Sequence, residues 1–220
     1  MAEFMKIGTT RAETFSDGVL AIIITIMVLE LKLPDLEVEE SKWGLRRQLL
    51  HTLHYLVPYT FSFMMIGIFW INHHHMFHLV KHIDERLLVQ NLIFLFWVSL
   101  IPFCTAVIAA NPQLPEAIAL YALLMLFTSS TFAWMRSYTI RKKLVHTDRD
   151  RDLTREVRRI SVRAKTKSLV GAGAYVLALP LAFVNIYLAY ACFAVLPILF
   201  FIPDGIDNEK LAEKVDEKNH

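Results

Sequence analysis

Long apolar stretches separated by short polar segments set the pattern of this chain. Six windows carry few or no charges: Ala12–Leu33, Tyr55–Phe77, Leu87–Ala110, Ala117–Tyr138, Leu169–Val184 and Ile186–Ile202. A helix that crosses the hydrocarbon core needs about 20 apolar residues. The first four windows reach that length, whereas the last two are short and run into each other. From Leu169 to Ile202 there is no charged residue, and as one helix this run would be ~51 Å long against a core of ~30 Å. Two short or tilted spans meeting in a tight turn near Asn185 are therefore expected. Pro180 and Pro197 would kink them, which neighbouring helices accommodate. The pattern predicts an all-α membrane protein with six transmembrane helices. It forms one domain over residues 1–205, followed by a charged tail over 206–220.

Composition agrees with this reading. Of 220 residues, 55% are hydrophobic and only 20% charged, and the mean hydropathy is +0.42. What remains between the spans is too short and too charged for a separate catalytic domain, which argues against a soluble enzyme and a single-anchor protein. No residue is assigned a catalytic role. Cys104 and Cys192 both lie inside apolar runs, so no disulfide framework is implied. The first apolar run is too long for the core of a signal peptide, and Glu3 and Glu13 stand where a basic flank belongs. No cleaved leader is expected.

The basic residues add orientation. With six spans, the N-terminus, the second and fourth connections and the tail share one side, and they hold 19 of the 23 lysines and arginines. The positive-inside rule puts both termini in the cytoplasm. Twelve of the 19 fall between Arg136 and Lys167, largely in a basic cytoplasmic connection over 139–167. There Leu153, Val157, Ile160 and Ala164 recur at helical spacing, which reads as an amphipathic helix leading into span five. Asp148, Asp150 and Asp152 at its start and Arg163, Lys165 and Lys167 at its end complement the helix dipole. Such a helix fits anionic lipid headgroups, at about 1 kcal/mol per basic residue near the surface. A solvated face that only fixes topology explains the same charges. Nucleic-acid binding would need aromatic interleaving or a recognisable fold, and neither is present.

The first span opens with Arg11, Phe15, Ser16 and Asp17 in an R-x-x-x-F-S-D pattern. Charged and polar groups at the mouth of an apolar helix are costly unless paired or hydrated. Arg11 and Asp17 lie nearly two turns apart, so partners on other helices are expected. Downstream, Ile22, Ile26, Leu29 and Leu33 form a continuous helical stripe, with Thr25 beside it. A lipid-facing helix accounts for the aliphatic residues but not for Arg11 and Asp17.

These residues resemble the signature of the transmembrane protein 175 family of endolysosomal potassium channels and its bacterial relatives. Trp70-Ile-Asn-His73-His74 at the end of span two is similar to the family's W-x-x-H-H. The stretch from Asn91 to Phe103, with Pro102 near its end, is similar to its N-L-L-F-L…L-P-F segment. The resemblance implies a potassium channel of non-canonical fold, in which the first helix lines a central pore and no T-V-G-Y-G filter exists. A single R-x-x-x-F-S-D implies one repeat, hence a homotetramer in a bacterial plasma membrane. Aligned from Asp17, the hydrophobic constriction falls on Ile22 and the hydroxyl layer on Thr25, with Ile26 and Leu29 as further pore-lining positions. Potassium is then the permeant ion, and no resident cofactor or metal is implied.

Physically, four helices around an axis enclose a passage that one chain cannot. A ring of isoleucines gates by dewetting, and a ring of threonine hydroxyls partly replaces lost hydration. Modest selectivity over sodium is expected from side chains alone. Glu30 and Asp35 near the outer end either concentrate cations or simply solvate the helix end. Arg11, Phe15, Ser16 and Asp17 read as a structural bracket, with Ser16 and Asp17 bonding to groups from Trp70, His73, His74 or Asn91. As a buried charged pair, Asp17 and its partner would cost about 3–5 kcal/mol to break.

Histidines supply the competing reading. His51, His54, His73, His74, His75, His78 and His82 lie in or beside span two, and His74, His78 and His82 share a helical face. Such pairs bind transition metals or haem, so a histidine-dependent metal-ion transporter or a haem-binding membrane protein is the alternative. Against it, no acidic or cysteine ligand is expected beside the cluster within the membrane.

Overall fold

The computed structural model describes residues 9–31, 42–78, 80, 82–142, 144 and 151–201, and among these the fold is all-helical apart from an isolated bridge at Val80. The helices are α1 (Thr9–Ile26), α2 (Lys42–His78), α3 (Glu85–Ser99), α4 (Ile101–Ala110), α5 (Pro115–Arg141), α6 (Arg151–Val184) and α7 (Ile186–Phe201). Asp35, Leu33 and the 206–220 tail lie outside the described residues.

Four stretches are long and apolar enough to cross a membrane: Thr9–Glu30, Tyr55–His78, Glu85–Ala110 and Pro115–Arg141. The fifth and sixth windows appear as shorter apolar helices, Leu169–Val184 and Ile186–Val195. Among the described residues, then, four of the six expected spans reach that length. Sixteen residues of α-helix rise only ~24 Å, short of the ~30 Å core.

Local chemistry sets the breaks. Asp84 caps α3 by accepting the Leu87 N–H at 2.9 Å, the usual role of aspartate at that position. The same carboxylate accepts the Tyr138 hydroxyl from the end of α5, tying two elements to one residue. The third span divides at Leu100 into α3 and α4, just before Pro102, which has no N–H to continue the ladder. Pro115 stands in the first turn of α5, where its missing donor costs nothing. Asn185 separates α6 from α7, and its side chain accepts the Tyr187 N–H at 2.9 Å, capping α7 at the turn that the sequence places there. The basic connection and span five form one unbroken helix from Arg151.

Helix α5 is the centre of the bundle. It packs on α3, α4, α6 and α7, burying Ile118, Tyr121, Met125, Phe132 and Met135. Phe132 meets Phe69 of α2 and Phe94 of α3, at ring-centroid distances of 6.3 and 5.2 Å. Helix α1, by contrast, is peripheral and packs chiefly on α2 and α3.

Candidate functional site

The peripheral helix α1 has two unlike faces. Ala12, Ser16, Leu20 and Ile23 are buried, and they recur at three- to four-residue spacing, so they share one side. Phe15, Ile22, Thr25 and Ile26 are exposed on the other side, followed by Val28 and Leu29. Ile22 is 57% and Leu29 72% exposed, so neither stabilises the isolated chain by packing.

One feature of the expected stripe changes. After Ile26 the helix tightens into a 3-10 turn, Met27–Glu30, which advances about 3.0 rather than 3.6 residues per turn. Residues i and i+3 are in line in such a turn, so Leu29 stands above Ile26 and stays on the exposed face. Glu30 ends this turn half-buried.

Thr25 is exposed, yet its hydroxyl is engaged. Its Oγ1 donates inward to the carbonyls of Ala21 and Ile22, both at 2.9 Å. With the proton committed to the helix, the remaining lone pairs are free to meet a cation.

The buried face of α1 is fixed by a polar chain that leaves little choice of proton position. Ser16 Oγ donates to the Ala12 carbonyl at 2.8 Å, so it accepts from Asn91 Nδ2, also at 2.8 Å. That orientation turns Asn91 Oδ1 toward His73 Nε2, 2.8 Å away, and His73 carries its proton on Nε2. The imidazole is stacked between Phe77 and Phe94, with centroids 4.3 and 5.8 Å away. Three helices therefore meet in one hydrogen-bonded line. Beside it, Trp70 Nε1 donates to Asp17 Oδ1 at 3.0 Å, and Glu13 Oε1 lies 3.1 Å from His74 Nδ1.

Of the residues singled out in the sequence, the structure brings Ser16, Asp17, Trp70, His73, His74 and Asn91 together. Arg11 and Phe15 lie on the exposed side and take no part in this network among the described residues. Asp17 is half-buried and its partner is an indole, so it is not one half of a buried charged pair. The histidine face also changes. Helix α2 ends at His78, so His82 does not continue the line of His74 and His78. The side chains of His51 and His54 lie outside the described residues. Acidic groups do accompany the cluster: Glu13 and Asp17 reach His74 from α1, which sequence separation had hidden.

Two further partners were missed. Arg136, buried in α5, places Nη2 at 3.3 Å from Asn72 Oδ1 and 3.4 Å from the Asn72 carbonyl on α2, with its guanidinium over the Phe132 ring at 4.8 Å. A lone arginine inside an apolar window was the available signal.

Comparison with known proteins converges on the same region. A family model described as the endosomal/lysosomal potassium channel TMEM175 matches residues 11–102, the stretch that contains every member of the bracket. A potassium channel from Chryseobacterium sp. (strain P1-3) is 34% identical over 203 residues, covering 92% of this chain and 97% of the relative. Another, from Chamaesiphon minutus (strain ATCC 27169 / PCC 6605), is 35% identical over 198 residues, covering 87% and 93%. The crystal structure of a lysosomal potassium-selective channel TMEM175 homolog from Chamaesiphon minutus is similar with a TM-score of 0.73 at 30% identity, covering 89% of this chain and 97% of that one.

Proposed function

Because the chain belongs to the TMEM175 family of potassium channels, we propose that it conducts potassium passively through a pore lined by α1 from each of four copies. The observation that carries this reading is the division of α1. One face is pinned to α2 and α3 by hydrogen bonds, while the other leaves Ile22, Thr25, Ile26 and Leu29 exposed. Around a fourfold axis these residues face one another. Ile22 then forms a dewetting constriction, and Thr25 offers an oxygen layer that replaces part of the ion's hydration. A single ring of hydroxyls gives modest preference for potassium over sodium. Glu30, with Asp35 beyond it, adds negative charge near the outer mouth.

The bias of lysine and arginine supports both termini in the cytoplasm of a bacterial plasma membrane. On that side the charged start of α6 is suited to anionic lipid headgroups. The conduction step is passive and uses no resident cofactor, and the six-span count follows if α6 and α7 cross as short, tilted helices.

Thr25→Ala tests the oxygen layer. Among the described residues Thr25 bonds to its own helix, so the variant should assemble with the mass of four chains. Its reversal potential under a potassium–sodium bi-ionic gradient should move toward zero. A tetramer with wild-type selectivity would remove Thr25 from the pore, and a monomeric mass for the wild type would remove the fourfold axis.

A further inference from the structure

We infer that Glu13, Asp17 and His74 form a binding site for a divalent first-row transition metal such as Zn2+, bridging the N-terminal half of α1 to the C-terminal end of α2. The site uses none of the proposed pore-facing residues Ile22, Thr25, Ile26 and Leu29, and its occupancy can be read without ion flux. Each residue offers one ligand atom, and the three atoms lie within 4.8 Å of one another. A tetrahedral ion with bonds of about 2.0–2.1 Å sets neighbouring ligand atoms ~3.3 Å apart. Glu13 Oε1 and His74 Nδ1, 3.1 Å apart, already have that spacing. The Asp17 carboxylate needs to close by at most ~1.5 Å, within reach of a side-chain rotation.

The supporting geometry is that of held ligands. Glu13 and Asp17 are four residues apart on α1 and so stack on one face. Trp70 Nε1 donates to Asp17 Oδ1, which leaves Oδ2 open and orients the carboxylate, the role an outer hydrogen bond plays around a bound metal. The His74 imidazole stacks on Trp70 and on His78, at centroid distances of 6.1 and 6.4 Å and interplanar angles of 25° and 24°, so its plane is set.

The donor set identifies the class of ion. Carboxylates alone would suit magnesium or calcium, but the imidazole shifts preference toward zinc, nickel and their neighbours. Three protein ligands leave a position for water. Two carboxylates one turn apart repel each other, and a cation between them relieves that repulsion. His74 is about half exposed, so an ion can reach the site from solvent. This is a fixed bridge between two helices, distinct from a translocation path along a row of histidines.

The test is titration of chelator-stripped, detergent-purified full-length protein with Co2+, followed by its visible d–d absorption and by displacement with Zn2+. One Co2+ per chain is expected. Glu13→Gln and His74→Gln, on different helices, should each weaken binding at least about 10–100-fold, the range that even outer-sphere changes produce. His82→Gln, at an exposed histidine beyond the end of α2, should bind as wild type does. Size-exclusion profiles confirm that each variant is intact, and either ligand variant alone suffices if the other aggregates. Equal Co2+ affinity in wild type and an intact ligand variant, or no d–d spectrum in the wild type, would overturn the site. Loss of binding in His82→Gln with His74→Gln unaffected would overturn it too.

Discussion

Ile22→Asn is expected to raise potassium flux per tetramer about tenfold or more, which corresponds to lowering the conduction barrier by ~1.4 kcal/mol. The side chain is 57% exposed in the single chain, so replacing it removes no intrachain core contact. In the proposed tetramer it would change four apolar groups at the proposed constriction into hydrogen-bonding ones, keeping water there and removing the dewetting barrier. Ile23→Asn is the matched comparison. Ile23 is buried against the bundle, so the same change should instead destabilise the fold through an unsatisfied polar group. Flux into liposomes, normalised to reconstituted tetramer, separates the two outcomes. Unchanged flux in an intact Ile22→Asn tetramer would place the constriction elsewhere.

The second large effect concerns the bracket. Asn91→Leu is expected to destabilise the protein by about 1–3 kcal/mol, more than Ser16→Ala does. A buried polar group left without its partner costs about 1–3 kcal/mol in water-soluble proteins, but hydrogen bonds between membrane helices average nearer ~0.6 kcal/mol. Asn91 is 2% exposed and serves both neighbours, so its loss strands the His73 Nε2–H and removes the donor to Ser16. Ser16→Ala strands only one Asn91 hydrogen. Asp17→Asn should cost less than Asn91→Leu, because Asp17 is half-buried and an amide oxygen still accepts from Trp70. Thermal denaturation in detergent, followed by retention of the assembled peak, ranks the three. If Asn91→Leu is as stable as wild type, the polar line does not hold α1.

The relation between sequence and structure follows from the range of each interaction. Helix existence was legible because apolar length is a local property, and so was the turn at Asn185, where a charge-free run exceeds the bilayer thickness. The shortness of the apolar part of α6 was legible too, as Leu169–Val184, whereas hydropathy did not mark the division of the third span just before Pro102. The meeting of Ser16, Asn91 and His73 was anticipated through the family resemblance and the cost of isolated polar groups. Glu13 was overlooked because its partner His74 is remote in sequence. The 3-10 turn at Met27–Glu30 has no composition signal, and it brings Leu29 directly in line with Ile26 where uniform α-helical spacing would offset the two. His82 left the histidine face for a similar reason, as the end of α2 at His78 was not marked by glycine or proline.

The most direct test of conduction through α1 is ion flux from purified protein in liposomes under a potassium gradient, with sodium and caesium as comparison ions. Potassium-preferring flux that falls when Ile22→Cys is modified by a membrane-impermeant thiol reagent is the predicted result, with the unsubstituted protein, whose Cys104 is buried and Cys192 half-buried, as the control. Absence of flux from intact wild-type tetramers, or potassium flux indifferent to a fully modified Cys at position 22, would contradict the account.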